Sequence, residues 1–562
     1  MKRERIGLAR MALGLVLVCA APHWAAAQSA QPAAAACESL KAAAIPATAI
    51  ALATNGAKAV SVTYVAAAGT PPRTVGAFCR VMVEIAPIDA KAPPIKMEIN
   101  FPDDWNGKAL MYGGGGLNGV ILSTGGTIRL QPPEVAIPLG RGYVTFGSDS
   151  GHNASAGGTF ALNDEALRNY ALDAVKKTRD AAGVLIKARY GRPADKVYFH
   201  GSSNGGKEAL GVIQRYPRDI DGAIIFWPAT YTTSLSMQFG RISRAFMAPG
   251  AWVSVAKRKA LHDAVLEACD GLDGAKDGVV SNVRACMARF DPANATLAGQ
   301  PLRCASGADT GSTCLSDAEI RSLKVMATPL KLDFSLASGL NDYPGFYVWG
   351  AGLGISDTDE LSKSVLAQGL GTTAPVPPAK PGMPYSFISA DQNIRNFVTK
   401  MPDATWSDVD PEHPGKWRAR FVELSRMMEM SKTDLAAFRR HGGKILLFHG
   451  LSDQIIPAQS TVDYYRRVVA TMGQDAVSSF LKFYELPGTA HSGFGVTFNP
   501  TWDALGALDT WATKGVPPKS PTVTDSHFKP GRTRPLCQYP SWPKYKGSGD
   551  VDQASSFVCA RS

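Results

Sequence analysis

An α/β fold built on a largely parallel sheet is predicted for this 562-residue chain by three observations. Short apolar runs, among them Val197-Tyr198-Phe199, Gly222–Trp227 and Lys444–Phe448, have the length and composition of strands buried on both faces. Helical stretches follow such runs, as Lys207–Ile213 follows the first of them, which is the alternation of a βα architecture. The turn between that strand and helix is Gly201-Ser202-Ser203-Asn204-Gly205, a G-x-S-x-G pentapeptide. Such an elbow holds a serine hydroxyl above the end of the sheet, and its glycines allow the sharp turn and the close approach of strand to helix.

The first block, from about Cys37 to Trp227, reads as strands at Ser61–Ala66, Cys79–Ile85, Lys96–Phe101, Ala109–Tyr112 and Tyr143–Gly147, a helix near Asp164–Ala188, and then the elbow. From Pro228 to Arg440 the alternation stops, and prolines, glycines and four cysteines accumulate without a clear parallel strand. This stretch is expected to be a large insertion, a lid domain between the nucleophile and acid loops, of the kind that roofs a site and sets specificity. The core resumes near Gly442, has a helix near Ser460–Met472, and ends in a proline-rich tail. The expected division is residues 1–27, a leader; 28–227, the first part of the core; 228–440, the lid; and 441–562, the second part of the core with its tail.

A serine hydroxyl needs a base and an acid to become a nucleophile. In an α/β-hydrolase core both follow the serine in chain order, each after a late strand. Asp453 is the only carboxylate in the loop after Lys444–Phe448, although an aspartate there could also cap the next helix. Beyond it stand two histidines: His491, just after the strand-like Phe480–Glu485, and His527, in a surface-like Pro/Lys/Thr stretch. Ser203, Asp453 and His491 are therefore the expected triad. The oxyanion of acyl transfer needs two backbone N–H donors, one from Asn204 and one from Gly113-Gly114-Gly115-Gly116, where Gly114 and Gly115 are equally placed.

Composition bounds the setting. Met1–Ala27 has a basic start, an apolar middle and an Ala25-Ala26-Ala27 ending, the pattern of a signal peptide cleaved before Gln28. Val18 before Cys19 is too bulky for lipoprotein processing. No other stretch reaches the roughly twenty apolar residues that span a bilayer, so an exported protein, secreted or periplasmic and without a membrane anchor, is expected. The net charge of +11 becomes +8 once the leader's four basic residues and Glu4 are removed. The cations are scattered rather than clustered, so no nucleic-acid partner is indicated.

Eight cysteines remain after the leader: Cys37, Cys79, Cys269, Cys286, Cys304, Cys314, Cys537 and Cys559. An even set in an exported chain reads as disulfides, although eight cysteines allow 105 pairings and neighbour pairing is only the simplest of them. Within the insertion, Asp270, Asp273 and Asp277 are separated by glycine turns, an oxygen-rich concavity suited to calcium or simply an Asp/Gly turn; the spacing is not that of an EF-hand.

These features together resemble the tannase and feruloyl esterase family of secreted serine hydrolases, which includes the hydrolase of mono(2-hydroxyethyl) terephthalate. The similarity runs over nearly the whole chain after the leader. It is carried by the glycine run after Asp104–Lys108, by Ser148-Asp149-Ser150-Gly151-His152, by the elbow, by the aspartate loop, and by the closing Thr533–Pro540 and Tyr545–Asp550. The resemblance implies an α/β-hydrolase core and a lid with a structural calcium ion, held by the side chains of Asp270, Asp273 and Asp277 and the carbonyls of Ala275 and Val279. No organic cofactor is implied. It also implies the pairs Cys37–Cys79, Cys269–Cys286, Cys304–Cys314 and Cys537–Cys559. One departure stands out: where the family has a disulfide between the residue before the serine and the residue after the histidine, this chain has Ser202 and Ser492. A triad held by packing alone, at some cost in stability, is expected from that exchange.

Family members cleave esters of aromatic acids, and the lid supplies the acyl pocket. Tyr343, Phe346, Tyr347 and Trp349 form a short aromatic run that could stack on such a ring or fill the lid core. Between Asp333 and Ser386 there is no arginine to clamp a second carboxylate, although Lys363 or an arginine from elsewhere could substitute. The expected substrate is thus a small ester of a hydroxycinnamic or gallic type of acid. A terephthalate monoester or general aryl ester is the alternative, and a binding protein with a dead triad a more distant one.

Overall fold

The computed structural model describes residues 33–121, 124–352, 369–491 and 496–561. The leader, Lys363 and Ser492 lie outside the described residues. A nine-stranded sheet organises the chain: β1 (Ala57–Val65), β2 (Phe78–Ile85), β3 (Ile95–Pro102), β4 (Lys108–Tyr112), β5 (Val144–Ser148), β6 (Lys196–Ser202), β7 (Gly222–Phe226), β8 (Lys444–Gly450) and β9 (Leu481–Leu486). The spatial order is β1-β2-β3-β5-β4-β6-β7-β8-β9. The first three strands and β5 pair antiparallel, and from β5 onward every pairing is parallel.

The parallel strands are continuous apolar runs because helices cover both faces. Every residue of β7 is buried, and so is all of β8 after Lys444. The helices used below are α1 (Ala174–Tyr190), α2 (Asn204–Arg215), α3 (Thr232–Met247), α4 (Tyr385–Gln392), α5 (Ala458–Met472) and α6 (Ala504–Lys514). The helix expected over Asp164–Ala188 is interrupted: residues Asn169–Asp173 form a π turn between Asp164–Arg168 and α1.

The segment between β7 and β8 adds no strand to the main sheet among the described residues; it consists of helices, including α3 and α4, and two-stranded ribbons. Four disulfides are present. Cys37–Cys79 ties the N-terminal segment to β2, Cys269–Cys286 and Cys304–Cys314 lie in the segment after β7, and Cys537–Cys559 closes the tail. The carboxyl ends of β4, β6, β8 and β9 open on one edge of the sheet, where ligands of open α/β sheets bind.

Candidate active site

Each of four strand ends delivers one part of the site. At the end of β6 the chain turns at Ser203, whose φ of 59° and ψ of −121° lie outside the ordinary regions for an L-residue. That strain holds the side chain at the apex of the elbow. The Ser203 N–H donates to the Phe226 carbonyl at 3.0 Å, and the Ser203 carbonyl accepts from the Ala229 N–H at 3.0 Å, so β7 fixes the turn from below.

His491, five residues beyond β9, brings its Nε2 to 3.0 Å from Ser203 Oγ. Its Nδ1 lies 2.9 Å from Asp453 Oδ2 and 3.1 Å from Oδ1. Asp453 follows β8, is buried, and also accepts the N–H groups of Ile455 and Ile456, each at 2.8 Å. Asp453 therefore faces the imidazole and turns the loop ahead of α5, but it does not cap that helix, whose N-cap is Pro457 without a side-chain hydrogen bond. Burial pushes the Asp453 carboxyl up, but the His491 and His449 rings beside it more than reverse this and hold it below the usual carboxylate range.

The glycine run after β4 packs backbone to backbone against the elbow. A Cβ on Gly113 would stand 2.8 Å from Gly205 Cα, and one on Gly205 would stand 2.5 Å from the Gly114 carbonyl, so both positions require glycine. Glu208, fully buried on α2, joins the two segments. Its Oε2 accepts the Gly114 N–H at 3.0 Å, and its Oε1 accepts Asn118 Nδ2 at 2.6 Å and Asn204 Nδ2 at 3.1 Å. Burial raises the Glu208 pKa, while the neighbouring Lys207 and these donors oppose the shift. Lys207, equally buried with its Nζ 4.5 Å from the centre of the Tyr170 ring, is pushed down to about 8 by burial.

On the far side Asn118 also contacts Ser150 Oγ, and His152 Nε2 lies 2.7 Å from the Leu117 carbonyl. The Ser148–His152 motif therefore buttresses the glycine loop. The Gly114 N–H is committed to Glu208, whereas neither the Gly115 nor the Asn204 N–H has a hydrogen-bond partner among the described residues.

A cleft opens beside Ser203 between the elbow, the loop after β8 and the segment following β7. Tyr170, Leu235, Phe239, Tyr385 and Phe397 form its apolar wall, with Thr232, Ser389, Gln392 and Asn393 as polar groups. No charged side chain is among its described lining residues. Tyr170 and Phe397 both sit in π turns, Asn169–Asp173 and Asn393–Val398, a distortion that often re-aims side chains at functional sites.

The four aromatics expected to stack on an acyl group lie elsewhere. Tyr343, Phe346 and Trp349 are buried in the hydrophobic core, Tyr347 packs against it and donates its hydroxyl to Gln459 at 2.6 Å, and none lines the described cleft. A dense aromatic run inside an insertion is most economically placed in that insertion's own core.

In the aspartate loop, Asp270 accepts the Gly278 N–H at 3.0 Å, Asp273 Oδ1 the Ala275 N–H at 3.0 Å, and Asp277 Oδ1 the Val279 N–H at 2.9 Å. Asp273 Oδ2 is buried without a hydrogen-bond partner among the described residues, which favours a cation there. Asp277, by contrast, is paired with Arg534, and no group of three or more His, Cys, Asp or Glu among the described residues is drawn together as a metal site.

Strand order, elbow and site geometry define an α/β-hydrolase-fold carboxylic ester hydrolase. The family model for tannase and feruloyl esterase matches residues 79–560. The chain is 39% identical to an uncharacterized esterase of Agrobacterium fabrum over 539 residues, covering 94% of each. It is 32% identical to a mono(2-hydroxyethyl) terephthalate hydrolase of Piscinibacter sakaiensis, covering 84% of this chain and 82% of that one. The crystal structure of feruloyl esterase B from Aspergillus oryzae superposes with a TM-score of 0.75 at 24% identity, covering 94% of this chain and all of the other. The protein belongs to the tannase and feruloyl esterase family.

Proposed function

We propose that this esterase is exported and cleaves esters of aromatic acids of the hydroxycinnamic or gallic type through an acyl-enzyme on Ser203. The observation that carries the reading is the relay from Ser203 Oγ to His491 Nε2 at 3.0 Å and from His491 Nδ1 to Asp453 at 2.9 Å. His491 takes the serine proton as Oγ attacks the ester carbonyl, and Asp453 orients the ring and stabilises the imidazolium. The oxyanion is held by the N–H groups of Gly115 and Asn204. His491 then returns the proton to the departing alcohol, and water repeats the sequence on the acyl-enzyme.

The segment 228–440 acts as the lid, and the aromatic acyl ring lies in the cleft against Tyr170, Tyr385 and Phe397. Gln392 and Asn393 offer amides to phenolic hydroxyls. The uncharged lining favours a phenolic ring over one with a second carboxylate, whose burial without a cation is costly. The relative named for mono(2-hydroxyethyl) terephthalate supports the competing reading. Rates on methyl ferulate, methyl gallate and mono(2-hydroxyethyl) terephthalate decide between them: the phenolic esters should turn over at least about tenfold faster, and the reverse order overturns the acyl assignment. Four disulfides and the leader-like first 27 residues support export.

Calcium belongs to the same proposal. The side chains of Asp270, Asp273 and Asp277 with the carbonyls of Ala275 and Val279 offer a hard-oxygen set, and the orphaned Asp273 Oδ2 is the atom that a cation would satisfy. The ion would brace the lid and take no part in the chemistry. Chelation should lower the melting temperature by about 5 °C, with recovery on adding calcium but not magnesium. An unchanged melting curve together with no calcium in the purified protein removes the ion from the account.

A further inference from the structure

A second imidazole stands against the acid of the relay. His449, one residue before the end of β8, is fully buried. Its Nε2 lies 3.0 Å from the Ile456 carbonyl and 3.3 Å from Asp453 Oδ2, and its Nδ1 lies 2.8 Å from Thr461 Oγ1 on α5. A carbonyl and an ionised carboxylate can only accept, so Nε2 carries a hydrogen, and the Thr461 hydroxyl meets the other ring nitrogen. The sheet, the acid turn and α5 together fix this ring.

The carboxylate of Asp453 is buried with its charge, and such a group needs donors on each oxygen. Oδ1 has two, the N–H groups of Ile455 and Ile456, each at 2.8 Å. Oδ2 faces the two imidazoles, His491 Nδ1 at 2.9 Å and His449 Nε2 at 3.3 Å. Ile456 links both sets: its N–H holds Oδ1, and its carbonyl takes the His449 N–H. One side chain on β8 thus braces the turn that carries the acid and faces the oxygen that meets His491. The two rings differ in what else they reach. His491 extends to Ser203 Oγ, whereas His449 is sealed from solvent and does not line the cleft.

We infer that His449 is a positioning residue for ester hydrolysis: it directs its Nε2 hydrogen at the acid turn, keeps the Asp453 carboxylate ionised and aligned, and acts on the reaction only through it. The inference rests on the proposed relay of Ser203, His491 and Asp453. As His491 becomes an imidazolium, the negative charge must stay on Asp453 and face the ring. A donor beside the same oxygen opposes both rotation of the carboxyl group and its protonation.

The test is a double-mutant cycle on the purified full-length mature enzyme with p-nitrophenyl acetate, whose cleavage does not depend on the acyl assignment. His449→Leu, which keeps most of the bulk and removes the donor, should lower kcat by about 10–100-fold. His449→Gln, whose amide offers an N–H in its place, should stay within about fivefold of wild type. Introduced into Asp453→Asn, His449→Leu should cost no more than about threefold further, because its target is already gone. A purely structural role would cost the same in both backgrounds. The comparison is made on kcat, since Ile455 and Ile456 also line the cleft and a shifted turn would move KM. His449→Asn, polar but too short to reach Asp453, carries the same expectation as leucine, so the result does not depend on one variant folding. An unchanged kcat in both His449→Leu and His449→Asn, or a loss equally large in the Asp453→Asn background, overturns the inference. Turnover by Asp453→Asn alone within about tenfold of wild type overturns instead the relay on which it rests.

Discussion

Alanine at position 203 is expected to lower kcat on p-nitrophenyl and methyl esters by about 10⁴-fold or more, with the fold and the melting temperature retained. The side chain lies at the surface of the elbow, and the strained backbone is held by the Phe226 and Ala229 hydrogen bonds, which alanine keeps. His491→Ala should cost a similar factor and add little when combined with Ser203→Ala, because the two act as one unit. Turnover surviving in Ser203→Ala within tenfold of wild type would show that another group attacks the ester.

The second large effect is expected at a residue that does not touch the substrate. Glu208→Ala removes the acceptor that joins the Gly114 N–H, Asn118 and Asn204, and so loosens the glycine loop on the helix that carries Asn204, one of the two proposed oxyanion donors. The Asn204 Nδ2 to Asn118 Oδ1 hydrogen bond at 3.2 Å is left as the side-chain link between them. The kcat should fall by about 10²–10³-fold, as for loss of an oxyanion donor, while KM changes by no more than about threefold, because the side chains of the proposed acyl cleft are untouched. Glu208→Gln, which keeps an acceptor oxygen, should fall between the two. A purely structural role would lower the melting temperature without this split. The discriminating readout is binding of an aryl boronic acid, which forms a tetrahedral adduct on Ser203: its affinity should fall in step with kcat, whereas affinity for free ferulate should not. Equal losses for both ligands would contradict the positioning role.

The sequence made the sheet and the relay legible for a physical reason. Parallel strands covered on both faces are uninterrupted apolar runs, so β6, β7, β8 and β9 are visible, and the residues at their carboxyl ends follow directly. Ser203, Asp453 and His491 lie just past such ends, and the structure brings their side chains within hydrogen-bond distance of one another. The cleft was not legible, because it is assembled from residues as distant as Tyr170, Phe239 and Phe397. Two of these sit in π turns, which shift the side-chain phase that helical periodicity assumes.

Aromatic content alone pointed to Tyr343, Phe346, Tyr347 and Trp349, yet a large apolar ring satisfies a core as well as a pocket. Glu208 carried a signal that could have been used. It stands four residues after Asn204 on a helix, hence on the same face, and a carboxylate at a position this buried demands donors. The glycine run left Gly114 and Gly115 equivalent. Only the tertiary contact with Glu208 separates them.

The most direct test of the account is to mix the enzyme with p-nitrophenyl ferulate, quench within milliseconds to seconds, and analyse the digested chain by mass spectrometry. The account predicts a burst of p-nitrophenol and a feruloyl adduct on the peptide containing Ser203, which disappears as turnover ends and is absent from Ser203→Ala. Steady turnover with no burst and no adduct on that peptide, even in His491→Ala, where hydrolysis of an acyl-enzyme should be slowed, would contradict it.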